Sequence, residues 1–264
     1  MGIVTAIFNQ AGGVAKTTLT MNLGHHLALR DRRVLVMDMD PQASLTKALS
    51  VDVDALTEDQ TIYGPIVDRT ELPVVHCPTF GVDLVPSELI LSTATPKLAA
   101  VMARETRLRQ AIAPVRDQYD HILIDCAPTV ELLSLLALMA ADRVLIPVET
   151  QWKAWNAVPE ALRTLEAVRE ARLMFNITEP LTIAGFVPTR YSKTYEDHRA
   201  TLAELRDRQT GAAAIAPVLE PVPNSTLFGK AFAANVPLAL YDKTHKAVGV
   251  LKRLAAALDA ETRP

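Results

Sequence analysis

The sequence predicts an α/β fold in which one doubly wound, mostly parallel sheet carries helices on both faces. Three observations predict it. Short apolar runs recur along the chain: "IVTAIF" (3–8), "RVLVMD" (33–38), "VDLVPS" (82–87), "HILIDCAP" (121–128), "RVLIPVE" (143–149), "LTIAGFVP" (181–188) and "APVLEPVP" (216–223). They are continuously apolar and rich in β-branched residues, the mark of strands buried on both faces. Helical patterns separate them, which makes neighbouring strands parallel and places the helices on the sheet faces. The third observation is bulk: 264 residues at 49% hydrophobic content supply a large core.

In chain order, the first strand starts at once and leads into a helix over about 16–29. The second strand follows. The stretch 48–75 is mixed in pattern and reads as irregular with short helices. Helical segments run to about residue 116 after the third strand. A last helix, about 244–260, sets Val248, Leu251, Leu254 and Leu258 on one stripe. No repeat, low-complexity segment or linker interrupts 1–264, so a single domain is expected.

Charge and composition exclude several classes. A net charge of −3 and a pI near 6.1 give no global attraction to nucleic acid or anionic lipid, so any such binding needs a local patch. Two cysteines, Cys77 and Cys126, stand far apart without metal-ligand spacing and read as reduced thiols of a cytoplasmic protein. No apolar run reaches the length of a membrane span.

The most specific segment is "NQAGGVAKTT" (9–18), between the first strand and the first helix. That context suits a phosphate-binding loop, where backbone N–H groups at a helix N-terminus converge on phosphate oxygens. The match to G-x-x-x-x-G-K-[ST] is loose: Gln10 and Ala15 stand at the two glycine positions, while Gly12, Gly13, Lys16 and Thr17 remain. The strain at Ala15 depends on its φ. Further on, Asp38, Asp40 and Asp125 end apolar runs, at the sheet edge where such folds bind ligands.

Taken together, these segments resemble the deviant Walker A ATPases of the ParA/MinD family, whose loop is usually K-G-G-x-G-K-[ST]. "VLVMDMDPQASLT" (34–46) is similar to that family's switch I segment, and "YDHILIDCAPTVELLSLLAL" (119–138) to its Walker B and switch II strand. "YGPIVDR", "VDLVPSELIL" and "PVPNSTLFGKAFAANVPLALYD" also fit, so the resemblance runs along nearly the whole chain. It implies a P-loop fold of the SIMIBI type and an ATPase using ATP and Mg²⁺. Gly12, Gly13, Val14 and Ala15 would line the phosphates. Lys16 would bind the β- and γ-phosphates and Thr18 the α-phosphate. Thr17, Asp38 and Asp125 would hold the metal or its waters. Asp40 would position the attacking water, and Pro223 and Asn224 would lie near the adenine.

The chain departs from the family at Ala11, where the signature lysine of the ATP-bound dimer is expected. A methyl group cannot supply that charge. Lys153, in "PVETQWKAWNA" (147–157), is the first candidate to replace it across a homodimer, with Arg143 and Arg190 next. Lys153 also reads as an ordinary solvated lysine between two tryptophans. The McdA type, a ParA-like subgroup that positions carboxysomes, is similar in lacking the usual lysine and using a later one.

The family divides by what the ATP dimer binds. The tail "LKRLAAALDAETRP" lacks both the basic and the bulky apolar face of a membrane-surface helix, so no membrane role is expected. The residues from 186 onward carry +3 against −6 for the rest. Arg190, Arg199, Arg206 and Lys230 are the candidates there for non-specific DNA. The resemblance thus implies a nucleoid-associated positioning ATPase that acts with a separate adaptor and cargo. A plasmid or chromosome partition ATPase is the alternative, and a P-loop metabolic enzyme the alternative from another class.

Overall fold

The computed structural model describes residues 1–129, 131–150, 157–209 and 214–260. Seven strands form one sheet: β1 (Ile3–Ile7), β2 (Val34–Met39), β3 (Val75–Cys77), β4 (Val82–Val85), β5 (His121–Cys126), β6 (Arg143–Glu149) and β7 (Thr182–Thr189). Their order is β3-β4-β2-β5-β1-β6-β7, parallel throughout except for the β3–β4 pair at one edge. The principal helices are α1 (Lys16–Ala28), α2 (Ser44–Ala48), α3 (Leu132–Ala140), α4 (Ala157–Met174), α5 (Glu196–Arg208), α6 (Leu227–Ala233) and α7 (Lys246–Ala260). Shorter helical segments lie between residues 53 and 67, within the mixed stretch 48–75, and again between 89 and 118, where helical segments to about residue 116 are expected.

The strands divide their side chains between two cores. Leu35, Met37 and Met39 of β2 point to the face covered by α3 and α4, while Val34 and Val36 point to the face covered by α1 and α7. Burial on both sides is why these runs are apolar without alternation.

Two expectations fail. The run 216–223 forms only isolated bridges, Phe186 with Val218 and Tyr191 with Pro223. Pro217, Pro221 and Pro223 have no N–H to donate, so no continuous ladder can form. The short edge strand β3 is additional. It is three residues long, and only Cys77 is buried, so it leaves no apolar signature.

Parallel strands bring all their C-terminal ends to one edge. The loop after β1, Asp38 near the end of β2, Asp125 in β5, Glu149 of β6 and Thr189 of β7 therefore meet there.

Candidate functional site

The loop is held by its own side chains before any ligand is considered. Asn9 is buried; its amide donates to the Pro147 carbonyl at 2.7 Å, and its Oδ1 accepts from the Ala11 N–H at 2.9 Å. Gln10 donates to Thr164 Oγ1 of α4 at 2.6 Å. The Thr189 hydroxyl donates to the Val14 carbonyl at 3.2 Å. Gln10, which breaks the glycine pattern, thus anchors the loop to a neighbouring helix.

Ala15 stands at the N-cap of α1 with φ 73° and ψ 28°, the left-handed region. A methyl group there costs about 1–2 kcal/mol. Glycine would remove the strain but return about 0.4–1 kcal/mol of unfolded-state entropy. Ala15→Gly is therefore expected to raise unfolding stability by about 0.5–1 kcal/mol. Urea unfolding monitored by circular dichroism checks it, and a loss of stability would refute it.

Lys16 is buried, and its ammonium donates to the carbonyls of Asn9 and Ala11, both at 2.8 Å. Burial lowers its pKa, while Cys126, Asp125 and Asp40 act in the opposite direction. Asp38 and Asp125 are register partners on adjacent strands, and both are buried. Burial raises the Asp38 carboxyl to about 6 against the hydrogen bonds it accepts from Thr46 and Asp40. Burial and the neighbouring Asp38 push Asp125 well above the usual carboxylate range. Two acids crowded together in a dry site call for a cation.

Their hydrogen bonds separate the two acids. Asp38 Oδ2 accepts from the Thr46 N–H at 2.9 Å and hydroxyl at 2.8 Å, and Oδ1 accepts from the Asp40 N–H at 3.1 Å. Asp125 Oδ1 accepts from Thr20 at 3.4 Å, while its buried Oδ2 has no partner. That free oxygen fits a cation beside Thr17. Asp38, with both oxygens engaged, orients the turn that carries Asp40. Asp40 is half-buried on the pocket wall, and its Oδ1 accepts from the Gln42 N–H at 2.9 Å.

A cavity of about 510 Å³ opens over the loop. Gly13 through Thr18, Asp40, Pro223 and Asn224 line it, so the phosphate-loop and adenine candidates share one space; Gly12 lies alongside, near Pro128. The Asn224 N–H bonds to the Tyr191 carbonyl at 2.8 Å, fixing this wall to the end of β7. Phe228 and Phe232, one turn apart on α6, also line the pocket and were missed in the sequence. Their i, i+4 spacing in "LFGKAFA" was the available signal.

The other candidates lie apart. Arg199 and Arg206 are exposed, seven residues apart on α5, and Lys230 is exposed on α6. Arg190, grouped with them from the sequence, instead lines the loop cavity. Arg143 is buried at the start of β6, the opposite edge of the sheet, where it donates to Thr5 Oγ1 and the Leu258 carbonyl. It cannot reach the loop pocket. Lys153 lies outside the described residues. No helix among the described residues is long and apolar enough to cross a membrane.

A parallel sheet with a lysine-bearing loop at the head of α1 and acidic strand ends facing it defines a P-loop nucleoside triphosphatase. Comparison with known proteins gives the particular family. A family model described as an AAA domain matches residues 2–178. The chromosome partitioning protein ParA of Myxococcus xanthus is 32% identical over 245 residues, covering 92% of this chain and 82% of that protein. ParA of Caulobacter vibrioides is 33% identical, covering 90% and 87%. Among solved structures, cobyrinic acid a,c-diamide synthase from Mycobacterium smegmatis with bound ADP and magnesium superposes with a TM-score of 0.81 at 29% identity, covering 98% and 94%. The ATP complex of a Cyanothece McdA variant gives 0.82 at 23% identity, covering 97% and 96%, a likeness of fold. The chain belongs to the ParA/MinD family of P-loop ATPases.

Proposed function

We propose that this protein is a ParA-type positioning ATPase, a single domain over 1–264 that binds ATP and Mg²⁺, pairs as an ATP-bound homodimer and holds non-specific nucleoid DNA in the cytoplasm. An adaptor that stimulates slow hydrolysis would set the dimer free, and the cycle would distribute a cargo. The observation that carries the nucleotide reading is the loop and its pocket: a buried lysine lines the cavity with Asp40 and feels the charge of Asp125, whose buried Oδ2 has no partner and which is crowded by Asp38 on the next strand. The relatives named as chromosome partitioning protein ParA, matched along nine-tenths of the chain, support a chromosome cargo. Ala11 at the signature position supports the compartment-positioning reading, in which Lys153 supplies the missing charge across the dimer.

Phosphoryl transfer needs positioning and charge more than covalent chemistry. Lys16 would exchange two backbone carbonyls for phosphate oxygens. Thr17 and Asp125 would hold the metal, with Asp38 in support, and the metal would supply neutralising charge. Asp40 would orient a water, the α1 N-terminus would favour the anion, and Phe228 and Phe232 would offer apolar walls to a base beside Pro223 and Asn224.

Binding to non-specific duplex DNA is expected with ATP and Mg²⁺, and not with ADP or without nucleotide. It should weaken steeply between low and moderate salt. A filter-binding or anisotropy titration measures this. ATP binding without DNA binding under any condition would refute the DNA role and favour a metabolic enzyme, the class to which the M. smegmatis synthase belongs by name.

A further inference from the structure

Arg190 is exposed, yet it stands on the rim of the loop cavity and not out on α5 with Arg199 and Arg206. Its Nη2 lies 3.8 Å from the point where a Cβ on Gly13 would stand, and the residue lines the loop cavity with Gly13, Lys16 and Asp40. Its Nη1 donates to Glu149 Oε1 at 3.0 Å. The Glu149 side chain is 16% exposed and that of Arg190 is 49% exposed, so the pair bridges the ends of β6 and β7 on the pocket rim.

The backbone enforces this placement. Arg190 has φ 52°, a left-handed conformation that costs a non-glycine residue about 1–2 kcal/mol. Hydrogen bonds on both sides maintain it: the Thr189 carbonyl accepts from the Thr150 N–H at 3.1 Å, and the Tyr191 N–H donates to the Val222 carbonyl at 3.0 Å. A strained backbone that sets a guanidinium over a phosphate loop is suited to a ligand contact.

We infer that Arg190 supplies positive charge to the terminal phosphate from within the same chain, a contact separate from the charge proposed to come from Lys153 across the dimer, and that Glu149 holds Arg190 in reserve until a nucleotide enters. The inference rests on the nucleotide reading of this site. Thr18 is the α-phosphate candidate at one end of the loop, and Gly13 lies toward the other, where the terminal phosphate of a triphosphate would sit. A phosphate there competes with Glu149 for the same planar donor set. The phosphate carries more charge and more acceptor oxygens, so the guanidinium transfers to it. Discrimination between tri- and diphosphate follows, because only the former reaches this end.

The test is calorimetric titration of ATP and ADP, each with Mg²⁺, into wild type, Arg190→Ala, Arg190→Lys and Glu149→Gln, with circular dichroism checking the fold. Arg190→Ala is expected to weaken ATP by about 10-fold or more and ADP by less than about threefold. Arg190→Lys should retain only part of the ATP preference, since an ammonium keeps the charge but not the planar fork, and Glu149→Gln should tighten ATP by about threefold because the competing carboxylate is gone. Unchanged ATP affinity in Arg190→Ala, or equal losses for the two nucleotides, overturns the assignment and leaves the nucleotide site standing. Wild-type protein that binds neither nucleotide overturns the site and this inference together.

Discussion

Lys16→Ala is expected to lower the affinity for ATP and for ADP by about 100-fold, the equivalent of about 3 kcal/mol. Lys16 is the only cation on the loop, because Ala11 stands at the family's usual lysine. Its ammonium is buried, within reach of the carbonyls of Asn9 and Ala11, and moderates the crowded charge of Asp125 and Asp40. A charge-assisted bond to phosphate in so dry a site is worth more than a surface ion pair. The fold should survive. The substitution removes a desolvated charge, and Asn9 still fixes the loop through Pro147 and Ala11. Calorimetric titration with both nucleotides measures the loss. An affinity within threefold of wild type, in a protein with unchanged circular dichroism, would show that the loop does not carry the phosphate contact. The two nucleotides serve as an internal control, since Lys16 acts on both while Arg190 is expected to distinguish them.

The site was legible in the sequence wherever its chemistry is local in the chain. The loop 9–18 and the acids Asp38, Asp40 and Asp125 follow strand signals, and parallel strands deliver their ends to one edge whatever the details of packing. What sequence could not supply was backbone conformation and long-range neighbours. Ala15 and Arg190 both have positive φ, which no residue identity announces. Arg190 and Arg199 look alike as arginines in a basic last third, and both are exposed, yet one lines the nucleotide cavity and the other stands on α5 away from it. Asn9, with no motif role, clamps the loop to Pro147 at a separation of 138 residues. The run 216–223 misled for a physical reason: its residues are apolar enough for a strand, but its prolines cannot complete a ladder.

Asp259→Ala is expected to destabilise the fold by about 2–3 kcal/mol at neutral pH. Asp259 lies one residue before the end of α7, and its side chain is only 4% exposed. It accepts from Arg30 Nε at 3.1 Å, from Arg32 Nε at 2.7 Å and Nη2 at 3.2 Å, and from His121 Nε2 at 3.3 Å. One carboxylate thus ties the last helix to the turn after α1 and to the first residue of β5. Burial would raise its pKa, but the hydrogen bonds from Arg32, His121 and Arg30 outweigh burial and lower it to about 2. A folded pKa below the unfolded value near 3.9 contributes stability that is fully present above about pH 5 and is lost as pH falls toward 2. The two arginines keep part of their surface in water, so they can re-solvate when the acid is removed, which holds the cost below that of a fully buried orphaned pair. Urea unfolding of wild type and variant at pH 7 and pH 3 tests both parts. The gap between them should narrow by about half at pH 3, because the wild-type acid is then losing its advantage. Asp259→Asn should narrow the same gap, since it keeps the shape and removes the titration. A difference that is unchanged between pH 7 and pH 3 would assign the loss to packing of α7 and not to the charge network.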